Sequence, residues 1–123
     1  MKNREILIID DDSKNIFALT AVLKARKFKC VSAQSAAEGF RIMENNDNIG
    51  VVLLDLMMPE MDGYEAVEKM KKEEQFKDIP VVAITAQAMT GDREKCLEAG
   101  ADAYLSKPVN VDELLEILNE VTA

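Results

Sequence analysis

Three short runs limit what this chain can become. Ile6–Ile9, Val51–Leu54 and Val81–Ile84 are each continuous, apolar and rich in β-branched residues. Such a run has no polar face, so it reads as a strand covered on both sides, the environment of a parallel sheet. The more mixed Lys29–Ala33 (KCVSA) is expected at a sheet edge, and Ala103–Leu105 is a short fifth strand. Helical stretches with recognisable ends lie between the runs. Ser35 with Glu38, and Asn110 with Glu113, have capping-box spacing. Asp62 is placed to cap the helix bearing Ala66, Val67 and Met70, and Gly100 to close one beginning near Ala88. Leu114, Leu115, Leu118 and Val121 share one face of the last helix. Turns are expected at Met58-Pro59 and at Thr85-Ala86-Gln87.

Strands that alternate with helices predict an α/β fold. The expected architecture is a parallel sheet of five strands, with right-handed crossovers, helices on both faces and the flavodoxin-like order 2-1-3-4-5. A chain of 123 residues suffices for one domain, taken as residues 1–123, and not for two.

Sheets of this kind bind ligands beyond the carboxyl ends of their strands. That rule gathers the chain's most distinctive polar residues. Asp10 and Asp11 follow strand 1, Asp55 follows VVLL, Thr85 follows VVAI and Lys107 follows AYLS. Crowded carboxylates relieve their repulsion by taking a proton or a cation. Donors that are all oxygen favour a hard cation, and Mg²⁺, which keeps part of its water shell, suits them. An aspartate in that setting can attack phosphorus, while Mg²⁺ and a lysine ammonium neutralise the transferring group. Asp12 reads instead as a solvated acid at a helix start, where it favours the macrodipole.

Composition narrows the partners. The formal net charge is −8, which argues against nucleic acid or an anionic membrane as a direct partner and fits metal cations or basic protein surfaces. No apolar run approaches the roughly 20 residues that span a bilayer. The opening MKNREILIIDDD lacks a signal-peptide core, so the expected location is cytoplasmic. Cys30 and Cys96 form no CxxC and read as small, partly buried residues in a reducing compartment. Histidine is absent, which removes His-based acid–base catalysis and a His-ligated zinc site. Any phosphohistidine must belong to a partner.

IIDDDS at 8–13, LLDLMMPEMDG at 53–63, AITA at 83–86 and LSKP at 105–108 occur in this order. With these motifs the whole chain resembles the receiver domains of two-component response regulators. The resemblance implies that Asp55 is the phosphoacceptor. It makes Asp11 and Asp55 direct Mg²⁺ ligands, joined by the backbone carbonyl of Met57, with Asp10 as a second acidic partner. It makes Thr85 the switch hydroxyl, Lys107 the partner of the phosphoryl group and Tyr104 the switch aromatic, and it makes the Lys107–Pro108 bond cis. The implied donor is a histidine kinase or a histidine phosphotransfer protein. Helix 1, with Ile16, Phe17, Leu19 and Thr20, would dock on its histidine-bearing bundle. The implied output is a reshaped helix 4–strand 5–helix 5 face that signals to a downstream protein. The chain would be no enzyme beyond catalysing its own phosphorylation and dephosphorylation, which Met57 and Gln87 would tune; Met57, Met58 and Met61 cluster beside the site. The wording is also similar to receivers of hybrid histidine kinases and to single-domain relays. The alternatives are a pseudo-receiver that takes no phosphate and an Asp-nucleophile phosphatase. The dehalogenase-like form of the latter needs an acid where Met57 stands. A flavin-binding relative is disfavoured because DDDSKN would repel a phosphate lacking a metal.

Overall fold

The computed structural model describes residues 4–57, 63–85 and 92–122. The expectations placed on Met58, Pro59, Met61, Asp62, Ala86, Gln87 and Ala88 lie outside the described residues. In chain order the elements are β1 (Glu5–Ile9), α1 (Ser13–Ala25), β2 (Lys29–Ala33), α2 (Ala36–Asn45), β3 (Ile49–Asp55), α3 (Gly63–Lys72), β4 (Val81–Thr85), α4 (Asp92–Ala99), β5 (Ala103–Ser106) and α5 (Val111–Val121). The five strands are parallel in the order β2-β1-β3-β4-β5, so the fold is flavodoxin-like and KCVSA is an edge strand. Several strands outrun their apolar cores because pairing continues past them: Asp55 lies opposite Ile84, and Thr85 opposite Ser106.

The apolar runs have no polar face because alternate side chains enter two different cores. Leu7, Ile9, Val52, Leu54, Val81 and Ala83 pack with Phe40, Met43, Val67 and Met70 on the side of α2, α3 and α4. Ile6, Ile8, Val51, Leu53, Val82, Ile84 and Leu105 pack with Leu23, Leu114 and Leu118 on the side of α1 and α5. Each fully buried Val, Leu, Ile, Phe or Met among them contributes about 1.5–3 kcal/mol. In α5, Ile117 rather than Leu115 joins Leu114, Leu118 and Val121 against this core, one correction to the face expected from spacing. α2 approaches β1 so closely that a Cβ on Gly39 would lie 2.5 Å from Ile9 Cδ1.

Helix ends follow the local chemistry. Asp12, Ser35 and Asn110 are N-caps, accepting from the N–H groups of Lys14, Glu38 and Glu113. Each such cap contributes about 1 kcal/mol. Glu38 completes its box one residue early, its carboxylate accepting from the Gln34 N–H at 3.2 Å. α1 and α4 end in the same motif, with a left-handed residue followed by a backbone bond that reaches back five residues. In α4 that residue is Gly100 (φ 116), and the Ala101 N–H donates to Cys96 O. In α1 it is Lys27 (φ 70), and the Phe28 N–H donates to Leu23 O. Beyond Gly100, Asp102 Oδ2 accepts from Lys71 Nζ at 2.7 Å and from the Val81 N–H at 2.9 Å. Lys71 Nζ also donates to Ile79 O at 3.0 Å. This clamp ties the end of α3 to the start of β4 at the edge of the sheet away from the aspartates. Cys30 is half-buried and Cys96 is buried.

Candidate functional site

Among the described residues the buried polar side chains are Asp10, Asp55 and Thr85. All three lie at carboxyl ends of adjacent central strands, immediately after β1 and at the last positions of β3 and β4. Burying a carboxylate is unfavourable unless it is paired or hydrogen-bonded. Here the pairing is partial. Asp10 Oδ1 accepts from the Asp12 N–H at 2.9 Å, and Asp55 Oδ1 accepts from the Met57 N–H at 3.0 Å. Lys107 Nζ lies 3.5 Å from Asp10 Oδ2 and 3.4 Å from Asp55 Oδ2. One ammonium at those long distances serves two buried carboxylates. Burial pushes the Asp10 carboxyl above its ordinary range; the nearby Asp55 adds to this, while the Asp12 N–H and Lys107 oppose it.

Asp11 is exposed, yet one of its carboxylate oxygens lies with those of Asp10 and Asp55, the three atoms all within 4.8 Å of one another. Three convergent carboxylates with excess negative charge fit a hard dication such as Mg²⁺. Asp12 is not in that cluster. It is spent on the N-cap of α1, as expected for an acid at a helix start.

The remaining expected site residues have defined places. Lys107 follows β5, its N–H donates to the Thr85 carbonyl at 2.8 Å, and its bond to Pro108 is cis. Tyr104, on β5, is partly buried against the core on the α2, α3 and α4 side. Met57 follows the end of β3 with its side chain 43% exposed. In α1, Ile16 and Leu19 pack against the core on the α1 and α5 side, whereas Phe17 stays 76% exposed.

Beside Lys107 a groove of about 470 Å³ opens between α1 and α5, lined by Asn15, Ala18, Leu19, Val22, Pro108 and Leu114 among others. Asn15, Ala18, Leu19 and Val22 were not singled out as a set by the sequence reading. Their spacing of three, four and seven is the signal that marks one helix face.

Residues 6–119 match the response regulator receiver domain family. This chain belongs to that family. Response regulator Rre1 of Synechocystis is 35% identical over 119 residues, covering 96% of this chain and 51% of that protein, so this chain spans about half its length. The receiver domain of sensor histidine kinase PA1611 from Pseudomonas aeruginosa, solved with a magnesium ion in its active-site cleft, is 32% identical with a TM-score of 0.86, covering 98% of each chain. The Ssk1 receiver domain of Saccharomyces cerevisiae, solved with the histidine phosphotransfer protein Ypd1, is 25% identical with a TM-score of 0.86, covering 98% of this chain and 89% of that one. Receiver domains are regulators of two-component signalling rather than classical enzymes.

Proposed function

We propose that this chain is a phosphorylation-activated switch that accepts a phosphoryl group on Asp55. The observation that carries this reading is the burial of Asp55 at the end of β3 with Asp10, Asp11 and Lys107 around it. The donor is the phosphohistidine of a histidine kinase or histidine phosphotransfer protein. The Ssk1–Ypd1 pair supports that choice. An Asp55 oxygen forms the new O–P bond as the N–P bond of the donor breaks. The departing imidazole keeps the electron pair and takes up a proton. Bound Mg²⁺, held by Asp11, Asp55 and the Met57 carbonyl with Asp10 as a further acidic partner, would supply charge neutralisation on the phosphoryl oxygens. Lys107 adds its ammonium to the same task. The buried setting keeps bulk water from competing.

Phosphorylation adds roughly −1.5 to −2 charges and strong acceptor oxygens beside the end of β4. The Thr85 hydroxyl closes on those oxygens, Tyr104 follows, and the face formed by α4, β5 and α5 changes for a downstream protein. This is a population shift between two states, so phosphate must bind the active one better. The groove beside Lys107, lined by Asn15, Leu19 and Val22 of α1, receives the donor. The exposed Met57 side chain shields the acyl phosphate and lengthens its life. Residues 1–123 act as one receiver unit in the cytoplasm. Separately, no helix among the described residues is long and apolar enough to cross a membrane.

Intact mass after incubation with acetyl phosphate and Mg²⁺ tests the reading, with an EDTA control and Asp55→Asn beside wild type. A Mg²⁺-dependent gain of one phosphoryl group, absent from Asp55→Asn, is the expected result. No gain under conditions that label a known receiver would leave a pseudo-receiver that works by contact alone.

A further inference from the structure

The net charge hides a segregation. Residues 13–37 hold five of the chain's 15 Lys and Arg and none of its 23 Asp and Glu, so this stretch carries +5 and the remainder −13. It folds as α1, the turn after it and the edge strand β2. Lys24, Arg26, Lys27 and Lys29 are all exposed, and none of them makes an ion pair within 4 Å among the described residues. Phe17, 76% exposed, stands two turns before Lys24 on the same face of α1. The exposed residues between and beside them, Ala18, Ala21 and Ala25, are small.

We propose that the outer face of α1 and the turn that follows it, bearing Phe17, Lys24, Arg26, Lys27 and Lys29, form a docking surface for an acidic amphipathic segment of another protein. Carboxylates of that segment meet the cations, and an apolar side chain covers Phe17 over the low ground of the alanines.

The helix macrodipole does not account for the cluster. It amounts to about half a charge and acts within the last turn, where Lys24 already stands. Arg26, Lys27 and Lys29 lie past the end of α1. Lys27 moreover occupies the left-handed position that Gly100 fills in α4. Glycine adopts that conformation without steric penalty, so lysine there places a cation against the backbone preference. The distant negative charge does not cancel the patch locally, because at physiological salt the screening length is about 8 Å.

The position of the aspartates selects a protein over a lipid surface or a nucleic acid. α1 is 13 residues long, about 20 Å, and Asp10, Asp11 and Asp12 stand at its other end. A continuous phosphate surface laid along α1 would run into them, whereas an acidic segment can stop short.

The test is a titration of the ¹⁵N-labelled full chain with a synthetic helical peptide carrying glutamates beside one leucine stripe. Phosphatidylserine vesicles and duplex DNA serve as parallel arms. Expected are amide shifts confined to α1, the following turn and β2, weakening by about tenfold or more as salt rises from low to well above physiological. Phe17→Ser and Arg26→Gln each weaken binding without altering the fold's circular dichroism. Lys27→Gly is the deciding variant, expected to raise the unfolding temperature and yet weaken peptide binding. A purely structural role for Lys27 would move the first and not the second, and that result overturns the proposal. Absence of peptide shifts, shifts centred elsewhere, or tighter binding to vesicles or DNA would each overturn it too.

Discussion

Two concentrations of like charge in this chain, one buried and one exposed, are treated oppositely by the fold. Asp10 and Asp55 are 2% and 4% exposed and share one ammonium at 3.5 and 3.4 Å. Lys24, Arg26, Lys27 and Lys29 stand in solvent. Two like charges about 4 Å apart repel by about 1 kcal/mol in water and by about 4 kcal/mol at the effective dielectric of about 20 that suits buried protein sites. The exposed cluster can therefore persist without a ligand. Among the described residues the buried pair shares Lys107 and one backbone N–H each, and a bound cation or a proton relieves the repulsion left over. Burial rather than proximity decides which charges the fold has to compensate.

That contrast can be broken from the buried side first, where effects are largest. Replacing both Asp10 and Asp11 by Asn should weaken Mg²⁺ binding, followed by calorimetry, by about 100-fold or more, since the loss of even supporting residues around a metal typically costs 10–100-fold. Unchanged affinity would place the metal elsewhere. Next, Asp10→Asn alone should stabilise the metal-free protein at pH 7 by about 0.5–2 kcal/mol in urea unfolding, the range for relief of an unfavourable charge. Destabilisation would mean that the Asp10 carboxylate is better compensated than its surroundings suggest.

The pH dependence gives that result a sign. Burial raises the folded-state pKa of Asp10. The group's contribution to stability is thus fully present below its unfolded value, near 3.8, and is lost as pH rises through the raised folded value. In EDTA, the stability advantage of Asp10→Asn should shrink steadily as pH is lowered from 7 towards 4. An advantage that grows on acidification would reverse the assignment.

The exposed side yields the smallest effects. Lys27→Gly should gain roughly 0.5–1 kcal/mol, the penalty of a left-handed residue bearing a Cβ less the entropy that glycine loses. Arg26→Gln should change stability by less than about 0.5 kcal/mol. A larger loss there would show that the exposed cations are structural after all.

Most of the fold was legible because both cores draw on the same strands. Ile6–Ile9 sends alternate side chains to opposite faces, so its unbroken hydrophobicity is the direct trace of a doubly covered strand. The Asp10, Asp11, Asp55 and Lys107 cluster was legible because topology alone brings strand ends together. Three features left no local trace. The clamp of Lys71 on Asp102 joins residues 31 apart with no shared motif. Lys27 closes α1 without the glycine that advertises such an ending. The choice of Ile117 over Leu115 depends on a rotation of α5 finer than a spacing pattern resolves.

The clamp has a mechanical consequence. With Gly100 packed on Lys71 and Asp102 tied to Lys71 and Val81, the far end of α4 is fixed. Among the described α4 side chains only Cys96 is buried, with Ala99 partly buried against the core and the Lys95 ammonium 4.4 Å from the centre of the Tyr64 ring, so most of the helix lies on the surface. A helix of 8 residues pinned at one end is a lever about 12 Å long. A tilt of about 5° at the pivot carries its other end about 1 Å, given that length. That distance separates a made hydrogen bond from a broken one. If α4 tilts on phosphorylation, as proposed, an anchor far from the aspartates converts that small rotation into a displacement large enough to be read at the surface.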